Sequence, residues 1–289
     1  MVEALVRPAG PYSLALSARR ASDATRTFRD GVLRASLIVD GRLERGVAWQ
    51  VPDGRVVLQA QSSDGVERLR FVLAVDDDHT PFLRRFADDH LLGGAVRELR
   101  GFRPVRLATV AQSLLRAFCG QLIDTTTARR LEQKIVRAIT PAADGLHAPP
   151  TVADLARLAP ADLRRLGLHA RRAAALVRIC RSLDLERLRR APTDAVAARL
   201  ERERGVGPWS VGVVCLEGLG RTERGLVGDL GLIKLCSVLR GRRADAADTA
   251  ELLAPYAEWS GLASVYLLYG WSRRLVPGAA AAETPRAAA

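Results

Sequence analysis

The hydrophobic rhythm of the chain changes once, and that change limits the architectures open to it. Before Pro81, short runs rich in Val, Leu and Ile (Gly31–Asp40, Arg42–Val51, Arg55–Gln61 and Glu67–Val75) are separated by Asp40-Gly41, Asp53-Gly54 and Asp64-Gly65. Asp-Gly pairs supply the positive φ that tight hairpin turns need, so the pattern predicts successive antiparallel strands. After Pro81 the apolar residues recur at helical spacing. Val110, Leu114, Leu115 and Phe118 follow a capping Thr109, and Ala128, Leu131, Ile135 and Ile139 form a second stripe. Further helices are expected over Val152–Leu158, Arg171–Leu183, Asp194–Glu203, Trp209–Leu219, Gly231–Leu239 and Ala263–Leu275. The expected fold class is α+β: an N-terminal antiparallel β-sheet domain over residues 1–100, then an all-helical domain over residues 101–276. The boundary should fall between residues 76 and 106. The segment 277–289 is Ala- and Pro-rich and is expected to be a disordered tail.

Charge narrows the partner. Forty-four basic residues against 32 acidic ones leave a net charge of +12 and a pI near 10.7. Such a balance favours a polyanion such as nucleic acid. Only Lys134 and Lys234 are lysines, and an Arg- and Ala-rich coding bias would give the same composition, so charge alone does not decide the matter. Cys119, Cys180, Cys215 and Cys236 lack the close pairing that zinc or iron–sulfur sites need, and three of them lie in apolar helix-like stretches. A reducing cytoplasm is expected, and with a nucleic-acid partner a nucleoid-associated one. Neither a signal peptide nor a segment long enough to span a membrane is read, so no membrane partner is expected. Asp76-Asp77-Asp78-His79 reads as an exposed acidic loop. His79, His90, His147 and His169 show no ligand spacing, so no metal site is expected. There is no G-x-S-x-G and no Walker-type loop.

The most informative segment is Leu200–Leu219, LERERGVGPWSVGVVCLEGL. One helical run ends at Gly205-Val206-Gly207 and another begins at Pro208-Trp209. The glycines permit a tight turn and close approach of a ligand to the backbone. Pro208 suits a first helical turn, where its missing N–H costs nothing. The free N–H groups and positive dipole end of the second helix then suit a phosphate. A plain helix–turn–helix corner would have the same GxG. Two features add to it. Asp229 stands in Val227-Gly228-Asp229-Leu230-Gly231 just before the next helix, where a carboxylate is either a simple cap or a lone chemical acid. Trp209 opens the hairpin's second helix, with Trp259 and Trp271 downstream, and aromatic rings beside an anion site and a lone acid are what stacking of an extruded base needs. Arg164-Arg165 and Arg171-Arg172 flank a second hairpin-like turn, Leu166–Ala170. They fit either phosphate contacts or a solvated face.

Gly205-Val206-Gly207-Pro208-Trp209-Ser210, with Asp229 following, resembles the helix-hairpin-helix/Gly-Pro-Asp superfamily of DNA glycosylases. Within it the chain is most similar to bacterial 3-methyladenine DNA glycosylase II, whose antiparallel β domain precedes helical domains. Tyr12-Ser13-Leu14 resembles that type's opening strand, Leu114–Ile123 its helix ending in Gly-Gln, and Leu163–Val177 the segment before the hairpin. The resemblance implies a monofunctional glycosylase of base excision repair that acts on double-stranded DNA as a monomer. Asp229 would be the catalytic carboxylate. Gly205, Val206, Gly207, Trp209 and Ser210 would meet DNA, with Gln121 and the wedge Leu122, and Trp209 and Trp271 would line the base pocket. No cofactor is required, although the hairpin backbone can hold a monovalent cation in this family. Bifunctional relatives carry a Lys where this chain has Trp209. The chain departs from the family at Glu203-Arg204, usually Leu-Pro; at Leu262-Ala263-Ser264-Val265, usually Trp-Arg-Ser-Tyr; and at Val213, usually aromatic. Two alternatives stay open: a non-catalytic helix-hairpin-helix DNA-binding protein, and a glycosylase for a deaminated base.

Overall fold

The computed structural model describes residues 1–279. Strands β1 (Val2–Val6), β2 (Arg26–Arg29), β3 (Val32–Val39), β4 (Arg42–Gln50) and β5 (Val56–Ala60) form one antiparallel sheet in the order β1-β5-β4-β3-β2. The turn between β3 and β4 places Asp40 (φ 47°) and Gly41 (φ 75°) in the left-handed region, the geometry its Asp-Gly pair predicts. The expected α+β class is the one observed.

Two early expectations fail. Glu67–Val75 is not a strand: it lies largely within a helix, Ser63–Leu73. Asp64-Gly65 is the first turn of that helix, and the Ser62 hydroxyl accepts from the Gly65 N–H at 3.0 Å. Val66, Leu69, Val72 and Leu73 are buried at helical spacing against the sheet, so the run had a helical period that its β-branched content masked. Tyr12-Ser13-Leu14 is not a strand either. Ser13 caps the short helix Leu14–Ala18, and the opening strand is β1, a partly exposed edge strand carrying Glu3.

The helical part is built around helix Val110–Gly120, in which Val110, Leu114, Leu115, Phe118 and Cys119 are all fully buried. Its Thr109 cap accepts from the Gln112 N–H at 3.1 Å, as the sequence predicts. One face joins a core with helices Thr125–Ile139, Ala170–Ser182 and Thr193–Glu201. Ala117 faces a second core with helices Leu230–Arg240 and Ser260–Ser272. Phe82, Phe86, Leu92, Val96 and Phe102 belong to this second core rather than to the sheet, so the segment expected to close the first domain packs on the last helices. Val276 is buried there too, and within the expected tail Ala279 is buried while Pro277 and Gly278 are exposed; residues 280–289 lie outside the described residues.

The acidic loop is less exposed than expected. Asp77 pairs with Arg106, and His79 is buried. Burial, with Arg103 and Arg106 nearby, holds the His79 imidazole down to a pKa of about 3, and therefore neutral. The four cysteines are free and buried, and burial pushes the thiols of Cys180 and Cys215 up to about 12. No helix among the described residues is long and apolar enough to cross a membrane.

Candidate active site

Four chain segments meet at the carboxyl end of helix Val110–Gly120. The first is the hairpin. Helix Thr193–Glu201 ends before Gly205, whose φ of +96° is left-handed, and the chain re-enters helix at Pro208. Val206 is buried in the core and anchors the turn, while Gly205 is exposed. A side chain built at Gly207 would meet nothing within 4 Å, so the backbone there is open to an approaching group. Beyond Val213 the second helix widens to π-type turns over Val214–Leu219 and ends at Gly220.

The second segment is Gln121-Leu122. The Gln121 side-chain amide donates to the Gly205 carbonyl at 2.9 Å and to the Ser210 hydroxyl at 3.1 Å. Gln121 thus holds the hairpin with both side-chain N–H groups, and Ser210, only 2% exposed, serves that tie with its hydroxyl. The sequence leads one to expect both against DNA; in the free protein their side chains brace the turn. Leu122 lies beyond this brace. It is 81% exposed and sits at φ +57°, a region that costs a branched residue of order 1 kcal/mol or more. A large apolar side chain held in strain and in water has no folding rationale. Leu122→Ala should therefore leave thermal stability unchanged or slightly raised, which a melting curve checks.

The third segment carries Asp229, the half-buried cap of helix Leu230–Arg240. Its Oδ1 accepts from the Gly231 N–H at 2.8 Å and the Leu232 N–H at 3.2 Å. Its Oδ2 accepts from the Trp209 indole at 2.9 Å. This last contact joins hairpin and acid directly, and sequence reasoning missed it because nothing local links residues so far apart. The cap reading therefore holds through Oδ1, while Oδ2 faces the hairpin and is held by its tryptophan. The two acids that lie between the hairpin and Asp229 in sequence are engaged elsewhere: Glu217 pairs with Arg116, and exposed Glu223 accepts from Thr193.

The fourth segment is helix Ser260–Ser272. Leu268 Cδ2 lies 2.6 Å from where a Cβ on Gly231 would stand, which explains why Gly follows the acid so closely. Trp271 is one turn further along the same helix, half-buried, with an indole N–H that has no acceptor among the described residues. Val213, Leu262 and Ala263, where the family usually has larger or aromatic residues, are buried in the second core. Two clefts of about 530 and 470 Å3 flank Arg68 and Arg189, and the second is lined by Thr109, at the other end of helix Val110–Gly120; neither contains Asp229. No group of three metal-ligating side chains occurs among the described residues.

A capped acid, a phosphate-ready hairpin and a strained exposed leucine around one point narrow the family. The model of the HhH-GPD superfamily of base excision DNA repair proteins matches residues 115–257, a span that contains the Gln121-Leu122 turn, the hairpin and Asp229. The chain belongs to the HhH-GPD superfamily. A DNA-3-methyladenine glycosylase of Bacillus subtilis is 26% identical over 226 residues, 74% of this chain and 75% of the relative. Among solved structures, a 3-methyladenine DNA glycosylase from Archaeoglobus fulgidus superposes with a TM-score of 0.81 at 20% identity, over 94% of this chain and 99% of that one. A Clostridium acetobutylicum 8-oxoguanine glycosylase/lyase in complex with double-stranded DNA gives 0.75 at 16% identity, over 96% and 99%. These two likenesses establish the HhH-GPD fold across nearly the whole chain.

Proposed function

We propose that this HhH-GPD protein is a monofunctional DNA glycosylase of base excision repair that removes an alkylated, 3-methyladenine-type base. The observation that carries the reading is the Asp229 carboxylate, fixed by three donors beside the hairpin turn and the exposed Leu122. Membership of a DNA-repair superfamily and a curated relative that is a DNA-3-methyladenine glycosylase support it.

The chemistry follows from the placement. The hairpin N–H groups grip a backbone phosphate, and Leu122 fills the gap left by the extruded nucleotide, offsetting part of the few kcal/mol that unstacking costs. The bond from the sugar C1′ to the base nitrogen breaks, and its electron pair leaves with the base. Alkylation of the ring makes the base a good leaving group, so no strong acid is needed. The Asp229 carboxylate stabilises the positive charge left on the sugar. Water then adds at C1′ and loses a proton, giving an intact abasic strand.

The absence of lyase chemistry rests on Trp209, which offers no amine where bifunctional relatives carry a Lys. Both lysines, Lys134 and Lys234, are exposed on other helices, outside the hairpin. The test is incubation with duplexes that each carry one lesion, scoring abasic sites before and after alkali, with borohydride present in a parallel arm. Base loss that becomes strand breakage only after alkali supports the reading. A trapped protein–DNA adduct that requires Lys234 overturns the monofunctional part, and binding without base loss from any lesion favours the non-catalytic alternative.

Binding should weaken steeply with salt, since it rests on phosphate contacts; each contact contributes roughly 0.9 to the slope of log K against log salt. Arg171 and Arg172 begin the helix whose Ala175 packs beside Gly205 and whose Arg178 donates to the Arg204 carbonyl at 2.8 Å. Arg171→Ala should lower that slope by about one contact at equal cost for all sequences, measured by fluorescence anisotropy across a salt series.

A further inference from the structure

We infer that Trp209 is a positioning residue for Asp229, seated by Gly120, in addition to any contact it makes with a base. The inference rests on the reading of Asp229 as the glycosylase acid and deepens it.

A carboxylate has room for about four hydrogen bonds, two at each oxygen. At Asp229, Oδ1 is filled by the Gly231 and Leu232 N–H groups, and these alone would make an ordinary helix cap. Such a cap fixes one oxygen and leaves the carboxylate free to rock about its own axis. The Trp209 indole N–H supplies a donor to the other oxygen at 2.9 Å and removes that freedom. Oδ2 then keeps one acceptor position uncommitted among the described residues, and that position is what a developing sugar cation can use. The donor is also neutral. An ammonium in its place would hold the carboxylate equally well but would cancel much of its field. Indole orients the anion and leaves its charge whole.

The ring is placed from its far side. A Cβ built on Gly120 would stand 2.7 Å from Trp209 Cη2, a separation that side chains do not tolerate. Gly120 therefore exists in this helix to admit the indole, against the helical preference for Ala. Gly120 is followed directly by Gln121, which braces the hairpin, and by the exposed Leu122. The wedge turn, the indole and the carboxylate thus form one contact chain: Gly120 to Trp209 to Asp229.

Three measurements test this. The Trp209 indole N–H resonance, one of four in the chain and identified by its loss in Trp209→Phe, is followed by 15N–1H NMR in the free protein. In Asp229→Ala it should move and exchange faster with solvent, while the other indoles stay in place; this arm needs no enzymatic activity, so it stands or falls apart from the glycosylase reading. In single-turnover assays on a lesion duplex, Trp209→Phe keeps an aromatic ring but loses the donor. It should lower the rate of base release roughly ten- to a hundredfold, the worth of a hydrogen bond to a charged group, with the DNA Kd within about twofold. Gly120→Ala, whose added methyl meets the indole ring and not the acid, should shift the same indole signal and slow base release without lowering the melting temperature by more than a few degrees. An indole signal unmoved by Asp229→Ala overturns the inference. So does a Trp209→Phe variant that loses lesion affinity while its bound-state rate is unchanged, because that pattern belongs to a ring that only stacks on the base.

Discussion

Asp229→Asn is expected to reduce base release by at least about a thousandfold while the protein stays folded and binds DNA as well as or better than the parent. Removal of a single neutral stabilising donor costs other enzymes on the order of a hundred- to a thousandfold, and here a full charge facing the sugar cation is removed. The fold should tolerate the change. Asn is as good a helix cap as Asp, and its carbonyl oxygen can still accept from the Gly231 and Leu232 N–H groups. Only one contact becomes a mismatch, because the new amide sets its own N–H groups against the Trp209 indole. Loss of the carboxylate also removes its repulsion toward phosphate, which accounts for the retained or improved affinity. Abasic-site formation under single turnover, beside anisotropy with the same duplex and a melting curve, separates these effects. Near-normal turnover would move the chemistry to another acid, and Glu223, exposed and close in sequence, would be the first to replace.

Arg116→Ala is expected to be the most damaging change to stability, at about 3–5 kcal/mol, the usual cost of stranding buried charge. Arg116 joins three segments, and the buried Arg26 shares Asp23 with it at 3.2 Å. It donates to Asp23 before β2 at 2.8 Å, to Glu132 on helix Thr125–Ile139 at 2.8 Å and to Glu217 in the π-type turns at 2.6 Å. Its side chain is 16% exposed, and those of Asp23 and Glu132 are 6% and 3% exposed. Burial opposes the charge on Arg116, but the carboxylates of Glu132, Glu217 and Asp23 outweigh it and hold the guanidinium firmly protonated. Without Arg116 only Arg26 is left to offset the buried Asp23 and Glu132, which repel one another largely out of reach of water. Chemical denaturation should show the loss. Adding Glu132→Gln to the variant should recover part of it, since the two sites share one network and their effects are not additive. A loss under 1 kcal/mol would mean that water reaches the cluster freely.

These two residues mark what was legible before the fold was known. Asp229 could be read from local chemistry. A carboxylate between two glycines at the start of a helical run is a cap whatever the rest of the chain does, and a GxGPW hairpin upstream gives it a context. The same holds for the Asp40-Gly41 turn, for the Thr109 cap and for the helix periods after residue 110, because each depends on interactions within about a turn of the backbone. Arg116 offered no such signal. Nothing in its neighbourhood distinguishes it from the other arginines, and its partners lie on three remote segments.

Element types were legible wherever local propensity and hydrophobic period agreed, and so was the chemical inventory: one acid at the family position, a tryptophan where an amine would allow lyase chemistry, and a large basic excess. The tertiary structure decided the cases in which packing had to choose. Ser63–Leu73 became a helix because its buried face has to cover the sheet, although Val66 and Val72 suit a strand and the Asp-Gly pair a hairpin turn. Phe82–Phe102 joined the last helices because its aromatic rings find Tyr256, Tyr266 and Tyr269 there. Gln121 and Ser210 turned inward because their polar groups satisfy one another across the hairpin, and Trp209 met Asp229 because Gly120 leaves room for its ring. Each of these outcomes depends on atoms brought together from distant parts of the chain. No pattern along the sequence encodes such a distance; it exists only once the cores have packed.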